Sequence, residues 1–435
     1  MQDEKLLVRS DVEGVTSPAE IPEPSTLSSA AVSQFQQNRV RMFINFWLPA
    51  FKQIFPSYLV VHIILIVLSL YATLLMIPAS VANAGAAIPM NSLSVLWRTW
   101  DRYDSVYYLA IAKDGYGTNA GHAAFFPLFP MLVHGITWNV FSVMIGGLLI
   151  SSLAGLVLMV VLYQLVLEEL GEEVAKRSVL YMLVFPTAFF LWAIYPESLF
   201  LCLTVLSFYA MRHNRWWLAA LFGLLACLTR PNGVFLFLPF CFEYLRQRSF
   251  RWQAIRWDVL SVLLIPLGLG IFSLYCYLHY GDALAFSHAQ LSWKRVFHYP
   301  WYGIIQAIQI DFSKPVAVHQ PDALAAVLAS SLDLLPDLLA LLLIGLSIIG
   351  VCRLGTRHWS YVLYAALLWL FANILPAYLP WPLMGTGRNM LVIFPLFLML
   401  AQLGRNRWFH LLYISVAGTL CFLWATQFLT GYRII

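Results

Sequence analysis

Apolar residues run along most of this chain in long blocks separated by short polar breaks. A helix needs about 20 apolar residues to cross the roughly 30 Å hydrocarbon core of a bilayer. Read as helices, the blocks predict spans at about 57–82, 140–167, 177–194, 197–211, 216–229, 233–245, 258–279, 323–351, 359–378, 389–403 and 408–430, eleven in all, with the three between 197 and 245 short. The N-terminal stretch is different. SPAEIPEPSTLSSA is rich in Pro, Ser and Glu and cannot bury a core, which predicts a disordered tail over residues 1–52 ahead of a membrane domain over 53–435. The tail has no apolar region before a small-residue cleavage site, so it does not read as a secretory signal, and the first apolar span doubles as the insertion signal.

Composition agrees with lipid as the solvent. The 435 residues are 61% hydrophobic and 15% aromatic with only 11% charged, where a soluble domain carries about a quarter charged. The expected fold is therefore all-α and polytopic. A net charge of +5, spread mainly over short loops, argues against a nucleic-acid partner. Six cysteines (Cys202, Cys227, Cys241, Cys276, Cys352, Cys421) show neither a CxxC pair nor metal spacing, and read as small structural hydrophobes. With the N-terminus on the cytoplasmic side, alternate connections carry Lys176 and Arg177, Arg212 and Arg215, Arg246 to Arg256, Arg353 and Arg357, then Arg405 and Arg407. That is the positive-inside pattern. The short connections on the opposite side hold only Arg230 and Arg388, and the long connections 83–139 and 280–322 lie outside with them. No Asn-x-Ser/Thr sequon occurs, which favours a bacterial plasma membrane over the endoplasmic reticulum.

The polar chemistry gathers on that outer side. In WRTWDRYDSVYYLAIAKDGY, apolar and aromatic residues recur at helical spacing, which predicts an amphipathic interfacial helix. Asp101 and Asp104, three apart, would share one face of it. A carboxylate flanked by Trp100, Tyr103, Tyr107 and Tyr108 is a candidate base; equally, both acids could face water or bond Arg98 and Arg102. FFPLFPMLV is too short and Pro-broken to span, and reads as a segment dipping into the outer leaflet. Tyr195-Pro196-Glu197-Ser198, Thr229-Arg230-Pro231-Asn232-Gly233 and Gly385-Thr386-Gly387-Arg388 have the composition of ordinary helical-hairpin turns. Turn chemistry leaves their arginines unexplained, because an Arg outside runs against the charge bias and its planar fork suits a phosphate. HAQLSWKR adds His288, Gln290, Trp293, Lys294 and Arg295, with His279, Asp282, His298 and Asp311 around it. These lack an HxH or HExxH spacing, so no metal site is expected, and no GxSxG elbow stands out.

At these residues the sequence resembles a known family, the second mannosyltransferase of GPI-anchor assembly and its bacterial relatives (PIG-V-type), within the type C superfamily of membrane glycosyltransferases. The matching blocks are RYDSVYYLAIAKDGYG, AFFPLFPML, FPTAFFLWAIYPESLF, LTRPNGV, FSHAQLSWKR and GRNMLVIFPLF, in family order over roughly residues 95–400. The family has Trp before the aligned Asp; here Tyr103 precedes Asp104, and Trp100-Asp101 forms a second aromatic–acid pair. Register against Tyr107, Ile111-Ala112 and Gly115-Tyr116 aligns Asp104 with the family acid.

The resemblance implies inverting transfer of a sugar, mannose by family, from a polyprenyl-phosphate donor to an acceptor hydroxyl on the extracytoplasmic face. The acceptor would be a glycolipid, glycan or protein. In that reading Asp104 is the base, with Asp101 orienting the acceptor or serving as the alternative base. Arg230 and Arg388 stabilise the leaving phosphate, and Glu197, Tyr107, His122, Gln290, Trp293, Lys294 and Arg295 contact substrate. No cofactor or metal is implied. Two other classes fit the hydropathy: a lipid or solute transporter or flippase, which would favour internal repeats and mid-bilayer charges, and a non-catalytic subunit of a glycosylation complex. No repeat of fixed period is visible.

Overall fold

A computed structural model describes residues 29–84, 97–137, 142–313, 321–354, 356–377 and 382–431. The chain divides into two compact units, one ending at Pro49 and one running from Ala50 to Ile435. In the first unit the described residues, 29–49, are helical. The disordered tail expected through residue 52 falls partly outside the described residues (1–28); from Ser29 onward the chain is helix.

The helices are α1 (Ser29–Ala84), α2 (Ser105–Asp114), α3 (Leu128–Thr137), α4 (Val143–Leu170), α5 (Glu172–Leu183), α6 (Glu197–Arg212), α7 (Trp216–Thr229), α8 (Phe237–Gln247), α9 (Leu264–Tyr280), α10 (Ala285–His288), α11 (Tyr302–Ser313), α12 (Pro321–Leu354), α13 (Trp359–Ile374), α14 (Thr386–Leu391), α15 (Pro395–Leu403) and α16 (Arg407–Thr430), joined by turns and short 3-10 segments. Among the described residues there is no strand. Among the described residues, five stretches are long and apolar enough to cross a membrane: Ile44–Leu74, Val143–Leu170, Trp257–Tyr280, Asp333–Gly350 and Arg407–Thr430. The protein is an integral membrane protein.

Among the described residues, the eleven blocks of apolar sequence do not each form one helix of spanning length. Proline accounts for much of the difference. The block expected as one span over 177–194 is the twelve-residue α5, which stops ahead of Pro186 because the residue before a proline is pushed out of the helical region. An irregular stretch with a 3-10 turn at Ala188–Leu191 follows it. Every side chain from Ala188 to Tyr195 is buried, as irregular backbone at membrane depth requires. The block at 389–403 is likewise split into α14 and α15 ahead of Pro395, and 233–245 begins as a 3-10 turn at Pro231–Leu236 before α8. The FFPLFPMLV run folds as the ten-residue α3, packed on α2 and α4.

Two ends of the bundle differ in how they hold charge. At one end Arg212 (α6) bonds Glu169 (α4) at 2.6 Å and Glu243 (α8) at 2.9 Å, and Arg246 adds a second contact to Glu243 at 2.6 Å. Tyr361 (α13) donates to Glu169 at 3.0 Å. The opposite end carries the starts of α2, α6 and α14 and the end of α7. The two long connections also meet: the 3-10 turn Ala120–Ala124 packs on α10 and on the 3-10 turn Ala289–Trp293.

Candidate active site

The turn before α2 departs from the expected helix. Tyr103 has φ +54°, a left-handed conformation that is uncommon for a residue with a Cβ. The helix therefore starts only at Ser105, with Asp104 at its N-cap. Asp101 and Asp104 consequently do not share a helix face, because both precede the first helical residue. They also have different partners. Asp101 accepts from the Ser105 hydroxyl at 3.1 Å. The Asp104 amide donates to the Tyr195 hydroxyl at 3.2 Å, which in turn donates to the Arg102 carbonyl at 3.0 Å. A fully buried tyrosine thus pins the turn, and Trp100 adds a 2.9 Å bond from its indole N–H to Ser69 of α1.

The Asp104 carboxylate faces Arg388, whose Nη1 donates to Oδ2 at 2.7 Å. Arg388 stands on the six-residue α14, near Glu197, with Nε 3.4 Å from Oε1. Glu197 opens α6, where the unpaired N–H groups of the first turn favour an acid. The same Oε1 accepts from Arg230 Nη1 at 2.8 Å. Arg230 caps α7 in an extended conformation (φ −151°, ψ 146°) set by the proline that follows it. Its Nη2 donates to Asn389 Oδ1 at 3.2 Å. The Arg388 guanidinium also lies over Tyr195 and Phe190, 5.4 and 5.7 Å from the ring centres, a cation–π contact strengthened by burial.

Four distant parts of the chain thus meet in one cluster of Asp104, Glu197, Arg230 and Arg388. The carboxylates are not equivalent. The Glu197 side chain is 1% exposed and serves two guanidiniums, while its other oxygen, Oε2, is buried with no hydrogen-bond partner among the described residues. Asp104 is 26% exposed and can receive a proton from an incoming group. Glu197, expected as a substrate contact, pairs with both arginines. The two arginines expected to serve a phosphate are already paired with acids.

Arg295 supplies further positive charge. Burial, then the nearby charges of Arg388 and Arg230, push its guanidinium down to about 10, against a partly opposing pull from Asp104. It is still a cation at neutral pH, and its Nη1 donates only weakly, at 3.4 Å, to the Leu375 carbonyl. Two carboxylates and three guanidiniums leave the cluster with an excess positive charge, suited to an anion.

The remaining expected contacts have partners of their own. Tyr107 is on α2, stacked on Phe125 at 4.7 Å with His122 edge-on at 6.1 Å. The His122 Nδ1 is 3.0 Å from the Tyr116 carbonyl. Gln290 lies in the 3-10 turn Ala289–Trp293, and Lys294 ends that turn in the left-handed region. Trp293 belongs to the same turn, but its side chain lies outside the described residues. His288 pairs with Asp282 at 2.7 Å and His279 reaches the Gly117 carbonyl at 2.6 Å. Among the described residues no group of three or more His, Cys, Asp or Glu is placed to hold a metal ion. Tyr195 and Asn389 were not singled out as site residues by sequence; Tyr195 stands within a quoted turn and Asn389 directly after one, but only the fold shows what they bond.

Compared with known proteins, residues 57–307 match a family model described as Mannosyltransferase (PIG-V). The match covers more than half of the chain and includes Asp104, Glu197, Arg230 and Arg295. No curated protein matches.

Proposed function

The chain belongs to the PIG-V mannosyltransferase family and is a glycosyltransferase, and on that premise we propose that it moves mannose, with inversion, from a polyprenyl-phosphate donor to an acceptor hydroxyl on the extracytoplasmic face of a membrane, on a type C architecture. The observation that carries this reading is the meeting of Asp104 with Arg388, Arg230 and Glu197 at one end of the bundle.

In the reaction the acceptor oxygen bonds to the anomeric carbon, the bond from that carbon to the phosphate oxygen breaks, and the acceptor proton passes to Asp104. A phosphate leaves without needing protonation, so one carboxylate base is enough, and attack opposite the leaving group inverts the centre. The donor phosphodiester, with one negative charge, becomes a phosphomonoester with two. As Asp104 takes the proton it loses its charge and its hold on Arg388, just as phosphate gains charge. Arg388, Arg230 and Arg295 then act on charge that develops in the transition state, where electrostatic stabilisation accelerates a reaction. They supply this positive charge without a metal in the scheme. Glu197, buried beneath two of them, keeps them in place when no donor is bound.

The test is transfer in membranes fed polyprenyl-phosphate-linked mannose. Asp104→Asn is expected to lower transfer by about a thousandfold or more, while Asp101→Asn costs at most about tenfold. Near wild-type transfer by Asp104→Asn overturns the assignment of the base. Solute flux in proteoliposomes without transfer favours a transporter, and binding without turnover favours a non-catalytic subunit.

A further inference from the structure

α14 carries Arg388 but lacks the means to cap itself. It has six residues, and its N-cap is Gly385, which has no side chain to accept from the first amides of the helix and which takes φ +82°. A helix start leaves several N–H groups without intrahelical partners, and a buried one left unsatisfied is costly. Here the acceptor comes from another helix. Asp333 of α12 places Oδ1 3.3 Å from the Gly387 amide. On the other side of the same residue, Thr187, in the irregular stretch after α5, donates its hydroxyl to the Gly387 carbonyl at 3.0 Å. Both backbone groups of the residue before Arg388 are therefore held by side chains from distant parts of the chain.

The fit around Gly387 is close. A Cβ there would meet Asp333 Oδ1 and Thr187 Cγ2 at 3.2 Å each, and Trp424 of α16 at 3.5 Å. One turn further along α12, Asp337 is fully buried and accepts from Asn373 of α13 at 2.9 Å, which ties α12 to its neighbour. An acid within an apolar span is costly unless it has a partner and a task. Asp337 has a helix to hold, and Asp333 has the amide ahead of Arg388.

We propose that Asp333, with Thr187, is a positioning residue for Arg388, capping α14 from outside and fixing where the guanidinium stands between Asp104 and Glu197. The clamp acts through Arg388 and touches no substrate, and its effect on turnover rests on the proposed role of Arg388 at the site. Because the clamp is a hydrogen bond to an amide, its acceptor oxygen matters more than its charge. Asp333→Asn keeps an acceptor oxygen on the same stem, whereas Asp333→Ala removes it.

Two measurements on the full-length protein test this. In the first, amide hydrogen exchange is followed over residues 385–389 of the unliganded protein. Exchange is expected to quicken about tenfold in Asp333→Ala and in Thr187→Val, and to return near the wild-type rate in Asp333→Asn. Unchanged exchange in Asp333→Ala overturns the clamp. The second is mannose transfer. Asp333→Ala is expected to lower kcat/KM for the donor by about ten- to a hundredfold, since misplacement of a catalytic group by about 1 Å costs on that order. Asp333→Asn should recover most of it, and the loss should largely vanish when Arg388 is already Lys. A full additional loss in the Arg388→Lys background shows that Asp333 does not act through Arg388 and also overturns the proposal. Exchange needs no substrate, so it decides the clamp even if wild-type protein transfers no mannose, an outcome that would count against the proposed function instead.

Discussion

Glu197 has 1% of its side chain exposed and one oxygen shared between Arg230 and Arg388. Removing its charge leaves two guanidiniums in a buried setting with less compensation, and breaking such a pair typically costs about 3–5 kcal/mol. Glu197→Gln is therefore expected to lower the unfolding temperature of the purified protein clearly, where Asp101→Asn, which keeps an oxygen to accept from the Ser105 hydroxyl, changes it little. Thermal unfolding in detergent checks the contrast, and equal midpoints would remove Glu197 from its anchoring role. The sequence made the individual residues visible through an acid in an aromatic setting and arginines on the side poor in them. It could not show which acid meets which arginine. Asp104 and Arg388 are 284 positions apart, and no local pattern records a bond over that distance. The acid pair illustrates the opposite failure. Spacing by three implies a shared helix face only inside a helix, and the left-handed Tyr103 keeps both acids outside it.

At the scale of elements, helix type was readable almost everywhere from apolar blocks, while continuity was not. A block that is apolar on all sides looks the same whether it is one helix or a short helix plus an irregular buried stretch, as at residues 177–195. Pro186 and Pro395 were the available signals for the breaks. Where two helices do run past each other, small residues set the distance. α7 and α9 approach through Gly223 and Gly268, and a Cβ on Gly268 would lie 2.5 Å from the Leu224 carbonyl oxygen and 2.8 Å from Cys227 Cβ. Contacts this short oblige the backbones to separate, in a setting where van der Waals packing holds helices together. Gly268→Leu is expected to destabilise the fold by about 1–3 kcal/mol. Gly270→Ala, two positions along the same helix with nothing within 4 Å of the added Cβ, is the control. Comparison of their unfolding midpoints decides whether the crossing is as tight as the distances indicate.

At the scale of the whole molecule, charge is concentrated at both ends of the bundle and used differently. The cluster of Glu169, Arg212, Glu243 and Arg246 sets two acids against two arginines. The Asp104–Arg388 end carries an excess positive charge and a partly open carboxylate. The first cluster has a consequence for pH. Burial, then the charges of Arg212, Arg357 and Arg246, push the His358 imidazole down to about 4, whereas in the unfolded chain it titrates near 6.5. The unfolded state thus binds the proton first on acidification. The contribution of His358 to stability is complete above about pH 6.5 and is lost as pH falls towards about 4. His358→Gln is expected to flatten the fall of the unfolding temperature between those values, and an unchanged slope would show that other groups control acid sensitivity.

The buried irregular stretch from Ala188 to Tyr195 bears on how the protein is made. Its covering side chain, Phe428, lies in the last described helix, with ring centres 5.2, 5.5 and 6.1 Å from Phe189, Phe190 and Tyr195. During synthesis the middle of the chain enters the membrane more than 200 residues before Phe428 is made. Until then that stretch, whose backbone departs from a regular helix, lacks the cover of the last described helix. The nascent chain must keep that stretch sheltered, by the insertion machinery or near the interface, and the first two-thirds of the protein cannot reach its mature packing alone. Assembly of the carboxylate–arginine cluster then waits on later synthesis, because Arg388 and the helix that closes over Tyr195 are both made well after that stretch.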